Sequence, residues 1–500
     1  MRLSDYLDFA VGELIQMENG QLVQPTHYDT CWAAGLTNGD GTLAYPELLS
    51  WLMRRQHPDG SWGSQVPYIH DRLLTTLAVV LLLARVGLRH QDQKQRLAGE
   101  RYIWRQAGNL HHDAERTVGF EMILPTLLAE GRKMGLELPY AQLRHYESVR
   151  SKKLSLLPKR ILDARTPALH SLEAFISDAD LGDAADLLLE NGSMLGSPSA
   201  TACFLGQSPD WQTLYPESIA YLEGLLDHED PGLPAVAPCD IFARAWVLDY
   251  LHYGNLLDNH AGLLKPHYDY LLKNWRPEGV GFTSLVFPDA DDTAMVLAVL
   301  HRAGYDVDGT CLLGYERAQH FAVYEYEADP SISANLHILR ALETIPERDR
   351  ERVRDKILGY LFRARHDDTF WSDKWHASVY YPTSKALMIL APHAPDMLED
   401  TLTWFLNTQH ASGAWGQYMP TIEETAHALL ALLHYHRTIR PLPTEPLHQA
   451  ARYLMAEERP FNHNYPELWM NKVLYAPTFA IRSVILAALN LYQDTFGDPA

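Results

Sequence analysis

The sequence predicts an all-α protein made of two rings of paired helices, and three observations carry that reading. Apolar residues recur at helical spacing, as from Leu3 to Met17. Strand signals are sparse, because alternating Val, Ile and Thr segments bounded by turns hardly occur. A glycine turn carrying an aromatic also returns between helices. It is complete at Gln56-His57-Pro58-Asp59-Gly60-Ser61-Trp62-Gly63 and at Gln409-His410-Ala411-Ser412-Gly413-Ala414-Trp415-Gly416, with fainter echoes at Asn191-Gly192-Ser193, Gly279-Val280-Gly281-Phe282 and Asp368-Thr369-Phe370-Trp371. Helical hairpins repeated in this way stack to bury a continuous core, and wound into a ring they make an α/α barrel. Five hundred residues hold two such barrels of about 200 to 250 residues each.

The elements follow in order. After the helix Leu3 to Met17 the chain turns through Pro25 into His27-Tyr28-Asp29-Thr30-Cys31-Trp32. Leu48 to Arg55 and Asp71 to Leu83 flank the first full turn. The longest apolar run, Leu77 to Ala84, falls far short of the ~20 residues of a membrane span, so a buried helix and no transmembrane segment are expected. Asp227 to Pro238, rich in Pro and acids, reads as a loop or a linker. Pro288 starts a helix and Gly304 stops it; Thr401 to Asn407 and Glu423 to His434 flank the second full turn.

Composition narrows the function. A hydrophobic content of 47% supports large buried cores, and a formal charge of −21 argues against nucleic acid as a partner. Four dispersed cysteines, Cys31, Cys203, Cys239 and Cys311, form no CxxC pair, so neither a disulfide framework nor a zinc ribbon is expected. A reducing cytoplasm fits, and the acidic N-terminus MRLSDYLDFAVGEL is not a secretory signal.

The stretch with most chemical content is Asp289-Ala290-Asp291-Asp292, three carboxylates in the first turn of an apolar helix. Acids at a helix start stabilise it, so a well-capped helix is the plain alternative. Two further readings are open from the residues alone. Asp289 and Asp292 would serve as the paired acid and base of an α/α-barrel glycosidase, or the chain would be a helical-repeat scaffold in which the triad is dispensable.

Taken together, these motifs resemble the class II terpene cyclases, and among them the bacterial and fungal class II diterpene cyclases that make halimadienyl, kolavenyl and copalyl diphosphates. The DxDD motif of that family is Asp289-Ala290-Asp291-Asp292, followed by Thr293-Ala294-Met295, and the two full turns match its Q-x3-G-x-W signature. Further matches span nearly the whole chain, among them Tyr28-Asp29-Thr30, Val118-Gly119-Phe120-Glu121, Leu169-His170-Ser171-Leu172-Glu173, Ser197-Pro198-Ser199-Ala200-Thr201, Pro330-Ser331-Ile332-Ser333, Asp373-Lys374-Trp375 and Leu468-Trp469 with Lys472 and Tyr475.

The resemblance implies a β barrel over 1–42 and 258–500 and an inserted γ barrel over 43–257, with no α domain, since no DDxxD is present. It implies protonation-initiated cyclisation of geranylgeranyl diphosphate with the diphosphate retained for a downstream terpene synthase or phosphatase. Squalene-type triterpene cyclases are the nearest rival within the superfamily. Asp291 would be the general acid, with Asp289 and Asp292 tuning it. A free Asp, with a pKa near ~3.9, is ionised at neutral pH, so repulsion and burial are expected to raise the cluster against the pull of the helix start.

Trp375, Tyr380, Tyr381 and Tyr475 are candidates to face the cations, because aromatic rings offer negative charge without a nucleophile. Lys153 matches a position that meets the diphosphate, and Asp113 with Glu115 resembles an acidic segment for Mg2+. His170 matches the His of a terminating His–Asn pair whose Asn position falls at Ala235, and His337 matches a His of bacterial enzymes giving rearranged products. With half the pair missing, the resemblance leans to a clerodane (kolavenyl) or halimadane skeleton over unrearranged labdane (copalyl) diphosphate.

Overall fold

The computed structural model describes residues 3–16, 22–87, 89–156, 165–178, 181–227, 230–325, 327, 329–456 and 464–497. Among them the chain is helical, apart from two pairs of two-residue strands: Pro25–Thr26 antiparallel to Leu233–Pro234, and Trp469–Met470 antiparallel to Leu474–Tyr475. No helix of the described residues is long and apolar enough to cross a membrane.

The chain forms two compact units, one of residues 1–22, 239–465 and 477–500, the other of 23–238 and 466–476. Both boundaries of the insertion lie earlier than the sequence reading had them. His27–Ala34 packs into the ring of the second unit, and Asp240–Tyr253 into that of the first. The segment Asp227 to Pro238 therefore carries the chain out of the insertion. Thr26 pairs with Leu233, so the insertion begins and ends side by side.

In the first unit six helices close a ring in which each packs on the next: Asp240–Tyr253, Ala290–Arg302, Ile332–Arg340, Tyr380–Leu390, Ile422–Thr438 and Thr478–Phe496, the last returning to the first. Leu3–Gln16, Ala261–Asn274, Glu347–Arg363 and Glu445–Ala456 pack outside them. In the second unit the ring is His27–Ala34, Ile69–Val86, Phe120–Lys133, the 3-10 segment Pro167–Phe175 and Pro198–Leu205, closing on His27–Ala34. Buried helix starts need partners for their free N–H groups, and five inner helices supply them in sequence. Thr26, Ser197, Asp289, Ser331 and Thr421 each accept from an N–H of the first turn.

The repeated turns share one hydrogen-bond scheme. The Gln56 amide donates to Gly60 O and Gln95 O, as Gln409 does to Gly413 O and Pro446 O, all at 2.8–2.9 Å. Each Trp indole N–H reaches the carbonyl ten residues earlier: Trp62 to Leu52, Trp415 to Phe405 and Trp371 to Leu361. Each turn also donates one backbone N–H to a Thr hydroxyl on the following helix, at Trp62–Thr76, Met194–Thr201, Val280–Thr293, Trp371–Thr383 and Trp415–Thr425. The faint echoes in the sequence are therefore the same device with a shorter side-chain complement.

Candidate active site

The DxDD stretch opens the inner helix Ala290–Arg302 of the first unit. Asp289 is its N-cap, accepting the Asp292 N–H at 2.8 Å, and the Thr293 hydroxyl ties the next residue to Val280. Asp289 and Asp292 are buried, whereas the Asp291 side chain keeps 15% of its surface. Asp291 Oδ1 lies 2.6 Å from Nδ1 of the fully buried His337 on Ile332–Arg340. That helix is set by Asp373, which accepts from Ser331 Oγ, Ser333 Oγ and the Ile332 N–H at 2.6–3.0 Å.

Burial, reinforced by the Asp291 charge and opposed by the bond from Asp292, pushes Asp289 up to about 7. Burial and both neighbouring carboxylates hold Asp292 well above the usual range. The upward push expected of the cluster is present at both Asp289 and Asp292. Together the three acids form a proton-holding site whose most open member is Asp291.

Aromatic rings stand around it. Trp246 meets His337 edge-on at 5.4 Å, packs on Phe242 at 4.3 Å and donates its indole N–H to the Tyr381 hydroxyl at 3.4 Å. Burial and the triad's charge keep the Tyr324 phenol well above its usual pKa. Tyr381 is buried, and the Asp291 charge raises it further after burial. Such a site can hold a proton on a carboxyl and surround a cation with π faces.

No family model matches the chain. It is 32% identical over 499 residues to a type B diterpene cyclase of Mycobacterium tuberculosis, covering 95% of this chain and 97% of that one. It is 31% identical to a (+)-kolavenyl diphosphate synthase of Herpetosiphon aurantiacus, covering 94% of each. It superimposes on an ent-copalyl diphosphate synthase from Streptomyces platensis with a TM-score of 0.80 at 29% identity, over 98% of this chain and 99% of that one. The chain belongs to the class II diterpene cyclases. It is therefore an enzyme, an isomerase-type cyclase.

Of the cyclase's other candidate residues in the first unit, Tyr381 joins the aromatic group. Tyr380, one residue earlier on the same helix, points instead to Trp404 and Phe405. Trp375 lies under Lys374, 5.1 Å from the ammonium, with its indole N–H lacking a hydrogen-bond partner among the described residues.

The remaining candidates lie in the second unit. Lys153, half exposed on His145–Leu156, is ion-paired with Glu121, which Arg116 also meets at 3.2 Å. Tyr475 sits in the strand pair. An oxygen faces each His170 nitrogen, Leu195 O at 3.1 Å from Nδ1 and Asn471 Oδ1 at 3.1 Å from Nε2, so an amide neighbour comes from Asn471 rather than from position 235. Burial and the nearby Lys472 lower His170 to about 4, leaving it neutral.

Asp113 and Glu115 line a cavity of about 500 Å³ with His70, His111, Arg116 and His145. This donor set does not fit a resident magnesium ion. Asp113 Oδ2 is taken by His70, 2.8 Å from both its N–H and its Nδ1, and no group of three or more His, Cys, Asp or Glu among the described residues could hold a metal.

Sequence reasoning passed over Trp246 and Phe242, which read as plain core in an apolar helix. It also passed over a signal in Ile422-Glu423-Glu424-Thr425-Ala426-His427, where Glu423 and His427 share a helix face just after the second full turn.

Proposed function

We propose that the cyclase acts on geranylgeranyl diphosphate, that Asp291 protonates its terminal alkene, and that the diphosphate is retained in a bicyclic, rearranged product of the clerodane or halimadane type. The observation that carries this is the 2.6 Å contact of Asp291 with His337, beside two buried carboxyls that hold protons tightly. His337 orients one Asp291 oxygen and leaves the other for the alkene. Protonation of the alkene carbon places the cation on the more substituted neighbour, and successive attack by internal double bonds closes two rings. Trp246, Phe242 and Tyr381 supply faces that stabilise positive charge without trapping it.

The leaning to rearrangement rests on His170. The oxygens of Leu195 and Asn471, each 3.1 Å from a ring nitrogen, occupy the approach of a proton-accepting water to either one, so the bicyclic cation lives long enough for hydride and methyl shifts. Kolavenyl diphosphate synthase, among the relatives above, is in keeping with this. Purified protein is incubated with geranylgeranyl diphosphate and magnesium as the diphosphate counter-ion, dephosphorylated, and the skeleton identified by mass spectrometry and NMR. A clerodane or halimadane alcohol is expected; a labdane alcohol sinks the rearranged assignment. Asp291→Asn is expected to fold normally and to lose at least a thousandfold in turnover, and an active D291N protein sinks the acid assignment.

A further inference from the structure

The Tyr381 ring, whose hydroxyl accepts the Trp246 indole N–H, is bracketed by two imidazoles. His376 stacks on it at 4.8 Å and 14°, and His427 meets it edge-on at 5.2 Å and 83°. Glu423, 1% exposed, lies between them, its Oε1 3.4 Å from His376 Nε2 and 3.7 Å from His427 Nε2. The two histidines are not alike. His376 Nδ1 lies 3.1 Å from both the N–H and the carbonyl of Ser378, and its Nε2 faces the carboxylate.

His427, also 1% exposed, has no hydrogen-bond partner at either nitrogen among the described residues. Leaving a buried polar ring unpaired is costly, and such groups call for a functional explanation. His427 also touches Tyr250, at 5.6 Å, and besides the Glu423 carboxylate the charges that bear on it are those of His376 and of the buried Lys385 ammonium, which stands over the same Tyr250 ring.

We propose that His427, backed by Glu423, is the base that ends the reaction by taking the last proton from the cyclised cation. The proposal rests on the cyclisation assigned above. In the step, a C–H bond next to the cationic carbon breaks and its electron pair becomes the new C=C bond. The proton goes to Nδ1 of His427, and the resulting imidazolium is compensated by the Glu423 carboxylate at Nε2. The proton leaves to water when the product departs, and the DxDD site regains one from water.

The protonation states suit this division. Burial lowers His427 to about 4, so the ring begins neutral. Burial alone would raise Glu423, but the His376 and His427 rings that face it bring it down to about 2, so it begins as an anion. A carboxylate that orients and compensates an imidazole is an established design for proton abstraction.

The test is product analysis of His427→Phe, which keeps a ring and removes both nitrogens, alongside Glu423→Gln. H427F is expected to go on consuming geranylgeranyl diphosphate. The share of the wild-type olefin should fall at least fivefold, in favour of double-bond isomers and water-captured alcohols. E423Q should shift the products in the same direction by a smaller factor. A wild-type product spectrum from H427F overturns the proposal, and so does a folded H427F that no longer consumes substrate, since initiation does not use this base. If melting shows that H427F does not fold, His427→Gln is read in the same way. A wild-type protein inert towards geranylgeranyl diphosphate instead removes the cyclisation reading, a result separable because no variant is needed to see it.

Discussion

At the scale of single residues, the acid site works by unequal burial of like groups. Asp289 and Asp292 lie deep, and each holds its proton more firmly folded than unfolded. Between the unfolded value, 3.8, and about 7 for Asp289, the unfolded chain is the less protonated state. Stability contributed by this group is therefore full at low pH and lost as pH rises through that window. Asp289→Asn keeps a capping oxygen but cannot ionise. Its melting temperature is expected to gain on the wild type from pH 4 to pH 7, by an amount equivalent to roughly 1–3 kcal/mol at the upper end. Parallel melting curves over that range would refute the assignment of the raised carboxyl. The same burial removes the glycosidase reading, because neither Asp289, spent as a cap, nor Asp292 is open to a sugar. Four consecutive residues made this triad legible in the sequence. His337, Trp246 and Glu423 come from three other helices, and their convergence depends on ring closure, which no local pattern encodes.

At the scale of elements, the turn is the unit that repeats. Gly60 and Gly413 adopt φ of +93° and +87°, and a Cβ on either would stand 2.6 Å from a backbone oxygen, of Ala98 and Gln449 respectively. Glycine is needed at both, which is why these two turns were so plain in the sequence. The Thr hydroxyl that closes each turn was not plain, since its distance along the chain varies from turn to turn and Thr is common. In the turn before the DxDD helix, Thr293 accepts from the Val280 N–H and donates to the Val280 carbonyl, both at 3.0 Å and both buried. Thr293→Val keeps the shape and strands both backbone groups. It is expected to cost about 1–3 kcal/mol of stability, measured by denaturant titration, and to lower kcat, because the acid helix loses its tether. A T293V protein with unchanged stability would show that the tether is dispensable.

At the scale of the whole molecule, the chain belongs to each of its compact units in separate passes, and the second unit is completed only by residues 466–476. Sequence periodicity announced rings but not this late return, because a short segment without helical spacing carries no sign of the ring it joins. What fixes it within that unit is a buried ammonium. The Lys472 ammonium, 1% exposed, stands 2.6–2.8 Å from oxygens of Glu173, Ser197, Ser199 and the His170 carbonyl, and the Tyr28 hydroxyl donates to the same Glu173 oxygen at 3.1 Å. Removing one partner of a buried pair leaves the other charge unpaired, whereas removing both removes the need for pairing. Lys472→Met is expected to destabilise by about 3–5 kcal/mol. With only one of the two compact units weakened, calorimetry should split the melt, the second unit unfolding first. Adding Glu173→Leu to K472M should recover part of the loss, so that the double variant melts above the single one. If the double variant melts below K472M, the network stabilises by shape and hydrogen bonding rather than by charge balance.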